Sequence, residues 1–266
     1  MSEARMKGRL LLDSLKVKIR EVVRQGVPEH RLGIAFSGGI DSTLLARVCM
    51  DAGKDVTLIT IGFSGSHDIE FSRQIASGLG LPQHIAEISA SDFPIKLRYI
   101  KQKITCGNTS HLENCIAYHY VSQAAKQLEL SLILSANGCD ELFCGYNGYR
   151  LAYDDGPDAL GKLMDEKIAN ERLLVDEISA VAQEFGVAIR QPFLSPEFIL
   201  FAKTIPLAFK ITGPDDMMRK HILRQAAFEL GVPIESAMKP KKALQYGTLI
   251  HRNFQRAKHA TTMDQS

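Results

Sequence analysis

Two short stretches of this chain bring glycines and acidic side chains together in a form suited to handling a metal-bound phosphate. The first is Ser37-Gly38-Gly39-Ile40-Asp41-Ser42. An apolar run, Leu32 to Phe36, precedes it, and Thr43 to Cys49 follows with apolar residues at helical spacing. Strand, small-residue turn and helix in that order point backbone N–H groups and a helix N-terminus at an anion. Gly38 and Gly39 let the backbone approach a phosphate closely, and Ser37 and Ser42 add hydroxyl donors. Asp41 repels a bare phosphate but is a good ligand for a magnesium ion bridging one. No lysine follows the glycines, so this is not a Walker loop. The purely structural use of the same residues is a tight glycine turn with a Ser/Asp helix cap.

The second stretch, Ala136-Asn137-Gly138-Cys139-Asp140-Glu141-Leu142-Phe143, repeats the arrangement behind the apolar run Leu130 to Ser135. The structural use of Asp140 and Glu141 is a charged first helical turn favoured by the helix dipole. A third group invites a metal reading: His111, Cys115 and His119 share one helix face, with Cys106 just upstream. Ligands at i, i+4 and i+8 span ~12 Å along a helix, too far to converge on one ion. They are expected to form a partly buried helix face instead.

These groups need elements to position them. Residues 10–25 read as an amphipathic helix stopped by Gly26-Val27-Pro28. Val56 to Ile61 and His84 to Ile88 have strand length, with a helix expected over 69–79 between them. The β-α-β-α-β alternation predicts an α/β fold with a doubly wound parallel sheet, ligands binding beyond the carboxyl ends of its strands. A basic helix is expected over 92–105, and Ser110 with Glu113 reads as a capping box opening a helix to about Leu128. Past Tyr149 the pattern turns to helices broken by Gly and Pro, with no strand expected. The expected division is an amphipathic helix (1–30), an α/β core carrying both glycine loops (31–150), a helical lobe (151–257) and a polar, frayed tail (258–266).

Composition excludes several classes. The 266 residues are 45% hydrophobic and 23% charged, ordinary for a soluble domain. A formal net charge of +2 provides no field for nucleic acid, and no apolar run reaches the ~18–20 residues of a membrane span. Met1 to Arg9 lacks the apolar core of a signal peptide, so a cytoplasmic location is expected. None of the five cysteines stands in Cys-x-x-Cys spacing, which argues against a disulfide framework and a zinc ribbon.

The first stretch resembles the PP-loop of the ATP pyrophosphatases, enzymes that split ATP between the α- and β-phosphates. The second narrows the resemblance, because Asn137 to Tyr146 is similar to the second ATP-site loop of the asparagine synthetase family. Arg190-Gln191-Pro192-Phe193-Leu194, Lys220-His221-Ile222-Leu223-Arg224, and Lys239-Pro240-Lys241-Lys242 with Gly247 resemble three further family stretches. They follow in family order.

This resemblance implies a PP-loop sheet with a helical carboxyl-terminal lobe, and ATP and Mg2+ as cofactors. It implies amide-bond formation through an acyl-adenylate, from a small carboxylic acid and ammonia or an amine. By position it assigns Ser37, Gly38, Gly39, Asp41, Ser42, Gly138 and Lys220 to nucleotide binding, and Asp41 and Asp140 to the metal. Lys241 matches the lysine that stabilises charge as the adenylate collapses, with Lys242 beside it left open. Asn137, Asp140 and Glu141 belong to the catalytic loop, and the backbone of Ile61 and Gly62 to the adenine edge. A structural use of Arg190 and Lys220 stays open.

Two departures set further expectations. Asparagine synthetases carry a glutamate where this chain has Asn137, whose amide hydrogen-bonds but is no general base. Either another group deprotonates the nucleophile, or the acid–amine pair differs from aspartate and ammonia; the second is expected. Glutamine-using members carry an amino-terminal glutaminase domain, whereas about thirty residues precede the first strand here, short of the ~50 of a small domain. Ammonia is thus expected free or from a separate supplying protein, and the chain is expected to form a homo-oligomer. The alternative functions are a PP-loop tRNA-modifying or thiolating enzyme and a non-catalytic nucleotide sensor.

Overall fold

The computed structural model describes residues 3–104, 106, 108–240 and 243–263. Five strands, β1 (Arg31–Ala35), β2 (Asp55–Gly62), β3 (Gln83–Glu87), β4 (Leu132–Leu134) and β5 (Ala188–Arg190), form one sheet. Every pairing is parallel and the order is β3-β2-β1-β4-β5. The amino-terminal helices are α1 (Glu3–Gly26), α2 (Ile40–Asp51), α3 (His67–Leu79), α4 (Phe93–Lys103) and α5 (Thr109–Gln127). Two short helices, α6 (Cys139–Leu142) and α7 (Asn147–Leu151), lead into the long α8 (Pro157–Gln183). Then come α9 (Pro196–Thr204), α10 (His221–Glu229), α11 (Ile234–Ala237), α12 (Leu244–Gly247) and α13 (Ile250–Met263).

Strand side chains alternate between two hydrophobic layers. Leu32, Ile34, Val56, Leu58, Leu132 and Leu134 pack with Leu15 and Ile19 of α1 and Leu44 and Val48 of α2. Ile59, Ile61 and Ile133 face the opposite layer, built on Ile116 and Val121 of α5 and Leu174 and Ile178 of α8. Burial on both faces is what near-continuous apolar strands require, at ~1.5–3 kcal/mol for each large apolar side chain removed from water. The doubly wound α/β expectation holds. Strand β1 pairs with β2 on one side and β4 on the other, so the winding reverses between β1 and β4. The loops leaving those two strands flank the crevice where such folds take ligands.

Four local expectations are corrected. The region past Tyr149 does contain a strand: β5 pairs with β4 from Leu132↔Ala188 to Leu134↔Arg190, and three residues are too few to display a period. No capping box forms at Ser110. Asn108 Oδ1 accepts the His111 N–H at 2.9 Å, and Glu113 turns away to His251, 2.8 Å from its Nδ1. At the amino end α1 begins at Glu3 rather than near residue 10, and at the carboxyl end α13 continues to Met263, through the start of the expected tail. Lys241 and Lys242 lie outside the described residues. Among the described residues no helix is long and apolar enough to cross a membrane.

Candidate active site

The first loop is tied to the sheet as it leaves β1: Phe36 N–H donates to Ile59 O at 2.8 Å, and Thr60 Oγ1 donates to Phe36 O at 2.7 Å. Within it, Gly39 N–H donates to Ser37 Oγ at 3.3 Å and Ser42 Oγ to Gly39 O at 3.2 Å. Gly38 needs to be glycine, since φ is +72° and a Cβ there would stand 3.1 Å from the Ser72 Cα. Gly39 has an ordinary φ of −68° and gives α2 no side-chain cap. The first N–H groups of α2 are thus left for an anion.

The second loop rests on the Pro192–Leu194 turn. Gly138 has φ +104°, and a Cβ on it would lie 2.7 Å from Phe193 O, which accounts for the Pro-Phe-Leu stretch. Arg190, by contrast, has the structural use: its guanidinium pairs with both Glu29 oxygens at 2.7 and 2.9 Å.

Lys220 joins the two loops. Its Nζ lies 2.6 Å from Asp41 Oδ2 and 2.6 Å from Asp140 Oδ1, and the side chain is 1% exposed. Burial alone lowers an ammonium pKa, but the Asp140 and Asp41 carboxylates outweigh it and hold Lys220 above its ordinary value. Two consecutive left-handed residues deliver it, Arg219 at φ +49° and Lys220 at +55°, a conformation side-chain-bearing residues seldom adopt. Asp216 braces that turn. Its Oδ1 accepts the N–H groups of Met218 and Arg219 at 3.1 and 2.9 Å, and Oδ2 meets His221 Nε2 at 2.6 Å. Burial pushes the Asp216 carboxyl up, yet the Arg219 and Thr212 N–H groups and His221 bring it down to about 2. Gly145 makes room for the cluster, because a Cβ there would come within 1.9 Å of Asp140 Oδ1 and 2.4 Å of Lys220 Cε.

A cleft of about 620 Å³ opens above these groups, bordered by Ser37, Asp41, Ile61, Asn137, Glu141 and Glu171 among others. A smaller cavity beside it touches Gly39, Lys220, Lys239 and Pro240. Of the adenine-edge pair, Ile61 faces the cleft, while Gly62 O accepts the Ile88 N–H at 2.8 Å and is turned into the sheet. Lys241 belongs to the residues not described, but Pro240 before it and Ala243 after it border the two cavities. Asp41 and Asp140 fit a magnesium ion by donor type, and Asp41 Oδ1 is buried with no hydrogen-bond partner among the described residues.

A family model described as asparagine synthase matches residues 16–177 and 162–265. The chain belongs to the asparagine synthase family. It is 25% identical over 245 residues to a glutamine-hydrolysing asparagine synthetase of Gallus gallus, covering 88% of this chain and 43% of the relative. With asparagine synthetase B of Escherichia coli K12 it is 24% identical over 256 residues, 87% of this chain and 45% of the relative. A Methanocaldococcus jannaschii protein assigned as a glutamine-hydrolysing asparagine synthetase is 26% identical over 249 residues, 82% of this chain and 46% of the relative. The chain thus spans less than half the length of each.

Against this asparagine synthase background the surroundings of Asn137 gain weight. Its Oδ1 accepts from Tyr118 OH at 3.0 Å and from Ser135 Oγ, and its Nδ2 donates to Glu171 Oε1. Glu171 is 5% exposed on α8. Glu141, four residues beyond Asn137 in the chain, receives the Gly138 N–H at 3.0 Å and the Tyr146 hydroxyl. Burial first, then the neighbouring Glu171 and Asp140 carboxylates, push Glu141 up to about 8. Sequence reading missed Tyr118 and Glu171. Nothing local marks either, since both sit in unbroken helices and reach Asn137 only through the α5–α8 packing.

Proposed function

We propose that this chain activates a small carboxylic acid with ATP as an acyl-adenylate, releasing pyrophosphate, and lets ammonia or an amine displace AMP to form an amide. The observation that carries this reading is the Asp41–Lys220–Asp140 cluster, set between the glycine turn after β1 and the acidic loop after β4. Backbone N–H groups of the turn and of α2 bind phosphate oxygens, and Lys220 adds positive charge beside them. Asp41 and Asp140 would hold magnesium, which would supply charge neutralisation for the phosphate oxygens. Ile61 borders the adenine, and Lys241 takes the charge-stabilising role its position implies.

Displacement of AMP requires the attacking amine to lose a proton. Asn137 cannot accept it. Glu171 can, and the Asn137 amide fixes one of its oxygens at the cleft wall. Glu141, with its pKa near 8, acts near neutrality as a hydrogen-bonding acid rather than a base. Chromatography of nucleotide spent with Mg2+, ammonia and a panel of carboxylic acids is the test. AMP and pyrophosphate are the expected products, and ADP as the sole product overturns the proposal.

A further inference from the structure

The helix face set aside above as a metal site is rearranged by the fold. His119 leaves the group, packing edge-on against Phe185, Tyr120 and Tyr99. In its place α8 brings Glu177. Cys106 Sγ lies 3.9 Å from Cys115 Sγ, and Cys115 Sγ lies 4.0 Å from Glu177 Oε2. The ligand atoms of these three residues all lie within 4.8 Å of one another. Two sulfurs bound to one tetrahedral zinc ion at Zn–S 2.3 Å stand ~3.8 Å apart, so the thiols already have ligand spacing. A second observation points the same way. His111, 3% exposed, sets Nδ1 3.0 Å from the same Glu177 oxygen, and its Nε2 is buried with no hydrogen-bond partner among the described residues. A histidine orienting a ligating carboxylate is a recurring support in metal centres.

We propose that Cys106, Cys115 and Glu177 bind a zinc-class divalent ion, with His111 positioning Glu177 and solvent completing the coordination. Paired thiolates with one carboxylate suit zinc over magnesium or calcium. The ion would fasten the residues before α5 and α5 itself to α8, the helix that carries Glu171, at the edge of the cleft that His111 also borders. Each thiol gives up its proton to become a ligand while Glu177 binds as carboxylate, so uptake of one zinc ion releases two protons. Burial raises both thiol pKa values above the ordinary range, so the metal-free cysteines carry those protons at neutral pH.

The test is titration of the reduced, chelator-treated full chain with Co2+ and then Zn2+. One equivalent of Co2+ should produce a thiolate-to-cobalt charge-transfer band that Zn2+ abolishes, with two protons released per zinc ion in weak buffer. Cys106→Ser and Glu177→Gln should each lower affinity tenfold or more. His111→Gln should lower it by ~10–100-fold while keeping the band, as loss of an orienting partner does. Circular dichroism identifies any variant that has unfolded. Absence of the band at one equivalent overturns the proposal, as does unchanged affinity in folded Cys106→Ser and Glu177→Gln. A Cys106–Cys115 disulfide forming in air, with no metal uptake by the reduced chain, overturns it too.

Discussion

Asn137 shows how far a single side chain can be read before its neighbours are known. As a departure from a family glutamate it implied a missing base, and hence an unusual substrate pair. The structure supplies another carboxylate at the same spot, Glu171, hydrogen-bonded by the Asn137 amide. The two lie 34 residues apart with no shared motif, so no sequence pattern links them. If Glu171 takes the proton, Glu171→Gln should reduce amide formation by the ~10²–10⁴-fold typical of a lost general base. ATP–pyrophosphate exchange, which precedes the proton transfer, should persist in the same variant. Equal loss of both activities would assign Glu171 to binding instead. The glycine turn was more legible, and its two glycines separate cleanly. Gly39→Ala introduces no backbone strain, so that variant should fold normally yet lose ~tenfold or more in apparent ATP affinity, ~1.4 kcal/mol, measured as KM.

At the scale of elements, the parts read correctly are those that repeat a local rule. Strand, glycine turn and helix recur after β1 and after β4, and both loops reach the crevice. What failed depended on tertiary partners: β5 exists because β4 offers it an edge, and Glu113 is drawn from a cap to His251. The second loop illustrates the same dependence, because the conformation of Gly138 is dictated by Phe193 from a distant turn. Gly138→Ala should cost at least the ~1–3 kcal/mol of a forced unfavourable backbone angle, read as a lower urea midpoint. Turnover should fall with it, since Asp140 and Glu141 begin the helix that follows.

Across the whole molecule two buried groups tilt stability in opposite directions. His119 is held neutral by burial, its pKa lowered from 6.5 to about 4. Its contribution is therefore present above 6.5 and lost as pH falls through about 4. Glu141 is raised from 4.5 to about 8. Its contribution is complete below 4.5 and lost as pH rises through about 8. Their slopes oppose one another between 4.5 and 6.5, giving a plateau with a fall on either side. Melting temperature against pH should trace that shape. Glu141→Gln should remove the alkaline limb and leave stability rising with pH across the former plateau, whereas His119→Gln should remove the acid limb and leave stability falling with pH across it.

The lysine between the two acidic loops also determines what the resting protein needs from its surroundings. Lys220 bridges Asp41 and Asp140 and gives the two carboxylates an internal counterion. The wild-type chain should therefore hold its shape equally well with or without magnesium or calcium. Once the lysine is replaced, as in Lys220→Met, two carboxylates face each other across a buried gap, and a cation from solution or an added proton must relieve their repulsion. That variant should melt low without magnesium or calcium and recover when either is added, whereas the parent barely responds. A protein indifferent to magnesium at rest would thus come to need it for its shape: one substitution would turn a substrate site into a structural one.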